Sequence, residues 1–256
     1  AVGCVPVVLT VTDGAFYAPR TTLNAITASY AGTGAEAADE DSRVLYLGDP
    51  RLLPVPATPL GGGVSLAVVD DGPLDLRDRW PAADDELRAQ LVGVVADVAA
   101  GETARGGRLL APFGVRYVVV PVVDGVSSTT DDPLPTATGL IEALRNQLDL
   151  NRLVTPNAFL VFENTAAMPT TSLITGELAE ASRADTLDVL IGLDVAGGAE
   201  PVLVAADTDR AASGPVDAGT VHVGIAPDDH WRLLVNGRPI APRPAFGATS
   251  AYDVAA

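Results

Sequence analysis

A chain of 256 residues that is 48% hydrophobic and 19% charged can bury a sizeable core, which excludes disorder throughout and allows one large domain or two small ones. Its formal charge of −17, from 33 acidic residues against 16 basic ones that are all Arg, excludes nucleic acid as a ligand, because phosphate binding needs clustered cations that displace counterions. The same charge disfavours adsorption to an anionic membrane surface.

The chain opens on an apolar run, residues 1–11 (AVGCVPVVLTV). It is too short to span a bilayer, which takes ~20 such residues, and reads either as the end of a membrane helix or as a first strand. Its Cys4 is the single cysteine, so an internal disulfide, a Cys-based zinc site and a CxxC redox motif are all excluded. Residues 32–41 (GTGAEAADED) are small and polar and read as a loop that cannot repay its ordering entropy.

An ordered unit is expected to begin at residue 43. Arg43-Val44-Leu45-Tyr46-Leu47 is a β-rich run closed by Gly48-Asp49-Pro50, and Val64–Val69 is a second strand after the Pro-rich and Gly-rich breaks at 54–63. Asp84-Asp85-Glu86 place negative charge at a helix start, and Leu87, Leu91, Val94, Val95 and Val98 follow at helical spacing up to Gly101. Val115–Val120 reads as a strand inside a sheet, and a helix is predicted over about Thr136–Leu148. Short strands follow at Arg152–Val154 and Phe159–Phe162. Alternating strands and helices predict a small α/β layered unit over 43–170.

Beyond Pro169 helical periodicity fades, and short β-rich runs recur at 187–193, 201–205, 220–225, 231–235 and 248–254. That pattern predicts a β-sandwich unit over 171–256, and the fold class is therefore α+β. Within it Trp231–Val235, Asn236-Gly237 and Arg238–Ile240 predict a hairpin, since Asn-Gly tolerates the positive φ angles of a type I′ turn. Residues 1–42 stand apart as an N-terminal segment.

No catalytic constellation emerges. The two histidines, His222 and His230, are few for acid–base work. His222 alternates with Val221 and Val223 on a strand and reads as a surface or satisfied core residue, while His230 sits beside Asp228 and Asp229 in a turn. The pairs Asp70-Asp71, Asp84-Asp85 and Asp131-Asp132 fall at turns or helix starts, where Asp is favoured locally. Asp70, Asp71 and Asp75 lack EF-hand spacing. Asp207-Thr208-Asp209 has the D-x-D form by which nucleotide-sugar transferases hold a divalent cation, but it falls in the β-rich half instead of an α/β nucleotide-binding half. No catalytic or metal-ligating residue is assigned and no cofactor is expected. The residues best suited to a ligand are aromatic with polar flanks, because sugar binders stack a ring on a pyranose. Those are Trp80 with Asp78, and Trp231 with Asp228 and His230. Trp80 reads as a cover for the core or an exposed loop residue, and Trp231 as a core residue opening a strand.

Six stretches in order, RVLYLGDPRLLP (43–54), DDGPLDLRDRWP (70–81), GETARGGRLLAPFGVRYVVVP (101–121), QLDLNRL (147–153), VFENTAAMP (161–169) and DDHWRLLVNGRPIAPRPAFG (228–247), resemble the C-terminal extracytoplasmic region of large actinobacterial membrane proteins of glycosyltransferase family 2. The resemblance implies a transferase domain and membrane helices elsewhere in a parent polypeptide, which would carry the catalytic residues, with this region outside the cell membrane. It implies a non-catalytic accessory or glycan-binding domain whose partners are a cell-envelope glycan and the parent's own membrane helices. The rival readings are a metal-dependent nucleotide-sugar transferase built on Asp207 and Asp209, and a purely structural domain packing on membrane helices.

Overall fold

The computed structural model describes residues 42–70, 86–124, 128–155, 158–205, 212–228 and 231–255. The expectations for residues 1–11, the 32–41 loop, Asp84-Asp85 and Asp207-Thr208-Asp209 lie outside them. The architecture is α+β, with a helix-covered mixed sheet followed by a β-rich C-terminal part.

The first sheet has six strands in the order β2-β3-β1-β4-β6-β5. These are β1 (Arg43–Gly48), β2 (Thr58–Gly61), β3 (Val64–Asp70), β4 (Val115–Pro121), β5 (Leu150–Arg152) and β6 (Phe159–Asn164). Only β1 and β4 run parallel, and they occupy the centre. Both are near-continuous hydrophobic runs because a strand covered on two faces has no polar side to alternate with.

Three helices cover one face: α1 (Glu86–Ala100), α2 (Gly106–Leu110) and α3 (Leu140–Arg145). Leu91, Val94, Val95 and Val98 of α1 meet Leu45, Leu47, Val118, Val120 and Phe162 of the sheet in the main core. Gly101 ends α1 at φ +75°, with its amide bonded to Val98 O and that of Glu102 to Asp97 O, the two hydrogen bonds of a Schellman cap. The opposite face buries Val44, Tyr46, Val69, Tyr117, Val119 and Val161, against which Leu53, Val55, Leu153 and Phe159 pack.

The second sheet has five antiparallel strands in the order β14-β15-β11-β7-β8. They are β7 (Thr171–Ile174), β8 (Ala199–Pro201), β11 (Gly219–Val223), β14 (Pro242–Ala245) and β15 (Thr249–Val254), with α4 (Gly176–Ala181) between β7 and β8. Two ribbons complete the β-rich part: β9 (Val204–Ala205) with β10 (Ala212–Ser213), and β12 (Leu233–Val235) with β13 (Arg238–Ile240). Leu233, Val235 and Ile240 pack on Leu173, Val221, Tyr252 and Val254, so one β layer faces another. The other face of the five-stranded sheet, through Ile174, Ala251, Ala245 and Phe246, joins the main core beneath the helices. Arg43 ties the same junction, its guanidinium donating to Phe113 O at 2.9 Å and to Gly224 O.

Three predicted elements differ. The strand expected at Arg152–Val154 is Leu150–Arg152, which leaves Val154 outside it and fully exposed. Leu187–Gly192, read as a strand, is a 3-10 helix whose start is capped by the Thr186 hydroxyl accepting from Asp188 N. The helix expected over 136–148 is only Leu140–Arg145, since Gly139 enters it at φ +83° and Gln147 is drawn into a separate network.

Candidate functional site

A group of buried polar side chains gathers where α2, α3 and β6 meet. Gly106 and Gly107 let α2 sit directly on its neighbours: a Cβ on Gly106 would lie 2.8 Å from Gln147 Oε1, and one on Gly107 only 2.5 Å from Asp149 Cβ. Gln147 accepts from Gly106 N at 2.8 Å and donates to Thr103 O at 2.7 Å and Ala143 O at 3.1 Å. Asn164 donates to Gly107 O at 2.8 Å and Val115 O at 2.9 Å while accepting from Ala166 N at 3.0 Å. Asp149, 4% exposed, accepts from Arg105 at 2.8 Å, with the Arg108 Nε 3.6 Å from the same oxygen. Its backbone carbonyl takes the amide and hydroxyl of Thr165. Two buried side chains, Gln147 and Asn164, thus satisfy backbone groups that would otherwise be stranded in an apolar interior, while the Asp149 carboxylate holds the Arg105 guanidinium.

His222 is wholly buried on β11. Its Nε2 lies 2.9 Å from Thr249 Oγ1, which donates to Ala245 O, and its ring meets Phe246 edge-on at 5.7 Å. Burial, aided by the positive charges of Arg43 and Arg243, pushes its pKa down to about 3, so the imidazole is neutral near pH 7. It is a core residue, not a surface one, and it is only half satisfied: Nδ1 is buried with no hydrogen-bond partner among the described residues. On the same sheet Asp253 receives Arg243 Nε at 3.0 Å, Arg183 at 3.0 Å and the Thr220 hydroxyl at 2.9 Å. The Arg243 hydrogen bond holds its carboxyl down to about 2.

Of the ligand-facing candidates, Trp80, Asp78 and His230 lie outside the described residues. Trp231 and Asp228 are both exposed at the entrance to the β12–β13 ribbon, joined by the Trp231 amide donating to Asp228 O at 3.2 Å. Trp231 is 39% exposed, which corrects its reading as a core residue: β12 begins two positions later, and Leu233 and Val235 take the inward places. Asp131 and Asp132 form a turn with Thr129, whose amide donates to Asp132 O and whose hydroxyl accepts from Asp132 N. Among the described residues no three His, Cys, Asp or Glu side chains cluster as metal ligands, and no helix is long and apolar enough to cross a membrane.

The crevice at the carboxyl ends of parallel β1 and β4, where α/β sheets commonly seat a ligand, is a cavity of about 10 Å³ between Gly48, Asp49, Pro121 and Leu140, room for one water. Asp49 there is engaged by the Arg51 side chain and amide, which lower its pKa. A wider surface cleft of about 270 Å³ lies between Thr175, Glu177, Leu178, Leu193 and Asp194, the last accepting from Gly197 N at 3.2 Å.

The network around Gln147, Asp149 and Asn164 was not anticipated from the sequence, where its members lie more than 40 positions from their partners at residues 105–107. The signal that could have found it was the Gly106-Gly107 pair inside a helix, a costly choice unless close packing requires it. Compared with protein-family models, curated proteins and solved structures, the chain shows no match.

Proposed function

We propose that this chain is a non-catalytic extracytoplasmic accessory domain of a membrane-anchored glycosyltransferase, and that it binds a cell-envelope glycan. The observation that carries the reading is where the polar groups of the family-like stretches go. Arg105, Gly106 and Gly107 of the 101–121 stretch, Gln147 and Asp149 of 147–153 and Asn164 of 161–169 fold against one another: Gln147 and Asn164 bond the Gly106 and Gly107 backbone, and Arg105 pairs with the Asp149 carboxylate. Motifs used this way build a scaffold, and a scaffold is what the resemblance implies for this region. The exposed Trp231, its amide bonded to the Asp228 carbonyl, supplies an aromatic side chain on which a pyranose could stack.

Titration calorimetry of the purified 256-residue chain against a panel of cell-envelope oligosaccharides tests the proposal. Binding that Trp231→Ala weakens supports it. Silence across the panel leaves only a structural role on the parent polypeptide.

A further inference from the structure

The turn of the β12–β13 ribbon holds two groups poised to react with each other. Of the six asparagines only Asn236 precedes a glycine. Asn236 and Gly237 are both exposed and both left-handed, at φ +50° and +77°. The ladder closes at the Val235–Arg238 pair, so the Gly237 amide lies outside it. Neither that amide nor the Asn236 carboxamide has a hydrogen-bond partner among the described residues. Nothing stands within 4 Å of where a Gly237 Cβ would be, so the peptide between the two residues can rotate without displacing a neighbour. The ribbon has only three residue pairs, and so short a two-stranded unit opens locally at small cost. Asn164 is the opposite case: it is buried, spends its carboxamide on Gly107 O and Val115 O, and precedes the β-branched Thr165.

We propose that Asn236 is a self-modification site, converting through a cyclic imide to aspartate and isoaspartate, and that the isoaspartyl product unseats the ribbon. Solvent base takes the Gly237 N–H proton, and the nitrogen attacks Asn236 Cγ. The N–Cγ bond forms, the Cγ–Nδ2 bond breaks, and Nδ2 leaves as ammonia with a proton returned by solvent. One water then opens the imide at either carbonyl. Opening at Cγ gives an ordinary aspartyl peptide, whereas opening at the main-chain carbonyl routes the chain through the side chain. Both products gain a carboxylate, and the sequence of steps needs no oxidant, cofactor or ligand. Their structural effects differ. Asp-Gly suits a type I′ turn as Asn-Gly does, so aspartate keeps the pairing. Isoaspartate lengthens the backbone by a methylene, which a two-residue loop cannot absorb while Leu233 stays opposite Ile240 and Leu234 opposite Pro239. Leu233, Val235 and Ile240 then lose their seats on Leu173, Val221, Tyr252 and Val254. The ribbon thus carries a one-way chemical clock, independent of the glycan reading.

The test ages the full chain at neutral and at mildly alkaline pH, beside the same chain unfolded in urea. Peptide mass spectrometry locates the conversion, and an isoaspartyl methyltransferase reports the isoaspartyl product. The expected result is conversion at Asn236 that outpaces the exposed Asn151, quickens with pH and is lost in Asn236→Gln, whose longer side chain closes a larger ring more slowly. In the isoaspartyl fraction amide exchange across Leu233–Ile240 should quicken by about tenfold or more, while fresh Asn236→Asp exchanges as the wild type does. An Asn236 that stays intact in the folded chain after the unfolded chain has converted overturns the inference, since the turn then protects it. Conversion no faster than at Asn151 overturns it as well. Isoaspartate with unchanged exchange overturns the unseating of the ribbon.

Discussion

Asn164 and Gly107 are fitted to one another: the Asn164 amide donates to Gly107 O at 2.8 Å, and the space beyond the Gly107 Cα is already filled by Asp149 and Asn164. Gly107→Ala therefore forces a methyl into occupied volume. Overpacking of this kind costs about 1–3 kcal/mol, and the shift in the urea midpoint at unchanged slope measures it. Wild-type stability in that variant would show that α2 can move away from β6 without loss.

His222 predicts how the fold responds to mild acid. In the unfolded chain its imidazole takes up a proton near pH 6.5, whereas in the folded protein it does so only near pH 3. Between those values the unfolded state holds the extra proton, so the stability contributed by neutral His222 is complete above about pH 6.5 and declines as pH falls toward 3. The loss is on the order of several kcal/mol for a group this deeply buried. His222→Gln should flatten denaturation midpoints across that window, and a variant that keeps the wild-type slope would refute the assignment.

Asp253 acts in a lower window. Its folded pKa of about 2 lies below the ordinary 3.8 because Arg243 hydrogen-bonds to the carboxylate. The stabilisation is present above pH 4 and disappears as pH falls through 2. The carboxylate is 43% exposed, so solvent screens the effect and a modest contribution is expected. Arg243→Ala should raise the Asp253 pKa toward 3.8, read directly by carboxyl carbon NMR titration.

The ribbon turn tests the hairpin. Asn236 and Gly237 sit at φ +50° and +77°, the left-handed pair of a type I′ turn. Gly237→Val should cost about 1–2 kcal/mol, since a β-branched residue resists that region. The accompanying observation is faster amide exchange in Leu233–Ile240 with little change in the six-stranded sheet.

Sequence patterns were informative where one element decides its own structure. The valine run of β4, the helical spacing of Leu91, Val94, Val95 and Val98, and the Asn-Gly turn each carry a local cause, and each appears where expected. Leu187–Gly192 failed because a short apolar run has no period that separates a strand from a helical turn. Trp231 failed because an aromatic residue near a strand reads as core until the ribbon's inward residues are known. The Gln147–Asp149–Asn164 network was illegible for another reason. The hydrogen bonds that tie it to residues 105–107 span 41 to 57 positions, and only the tertiary fold states which backbone groups need partners.

The core that runs from beneath α1 to Phe246 has a thermodynamic consequence. Because Ile174, Ala251 and Phe246 share one cluster with Leu45, Val95 and Phe162, and Arg43 spans the seam, neither sheet can lose its packing without baring apolar surface on the other. Calorimetry should therefore record one endotherm with matching van't Hoff and calorimetric enthalpies for the two sheets melting together. Two separate transitions would mean that the seam is weaker than either layer.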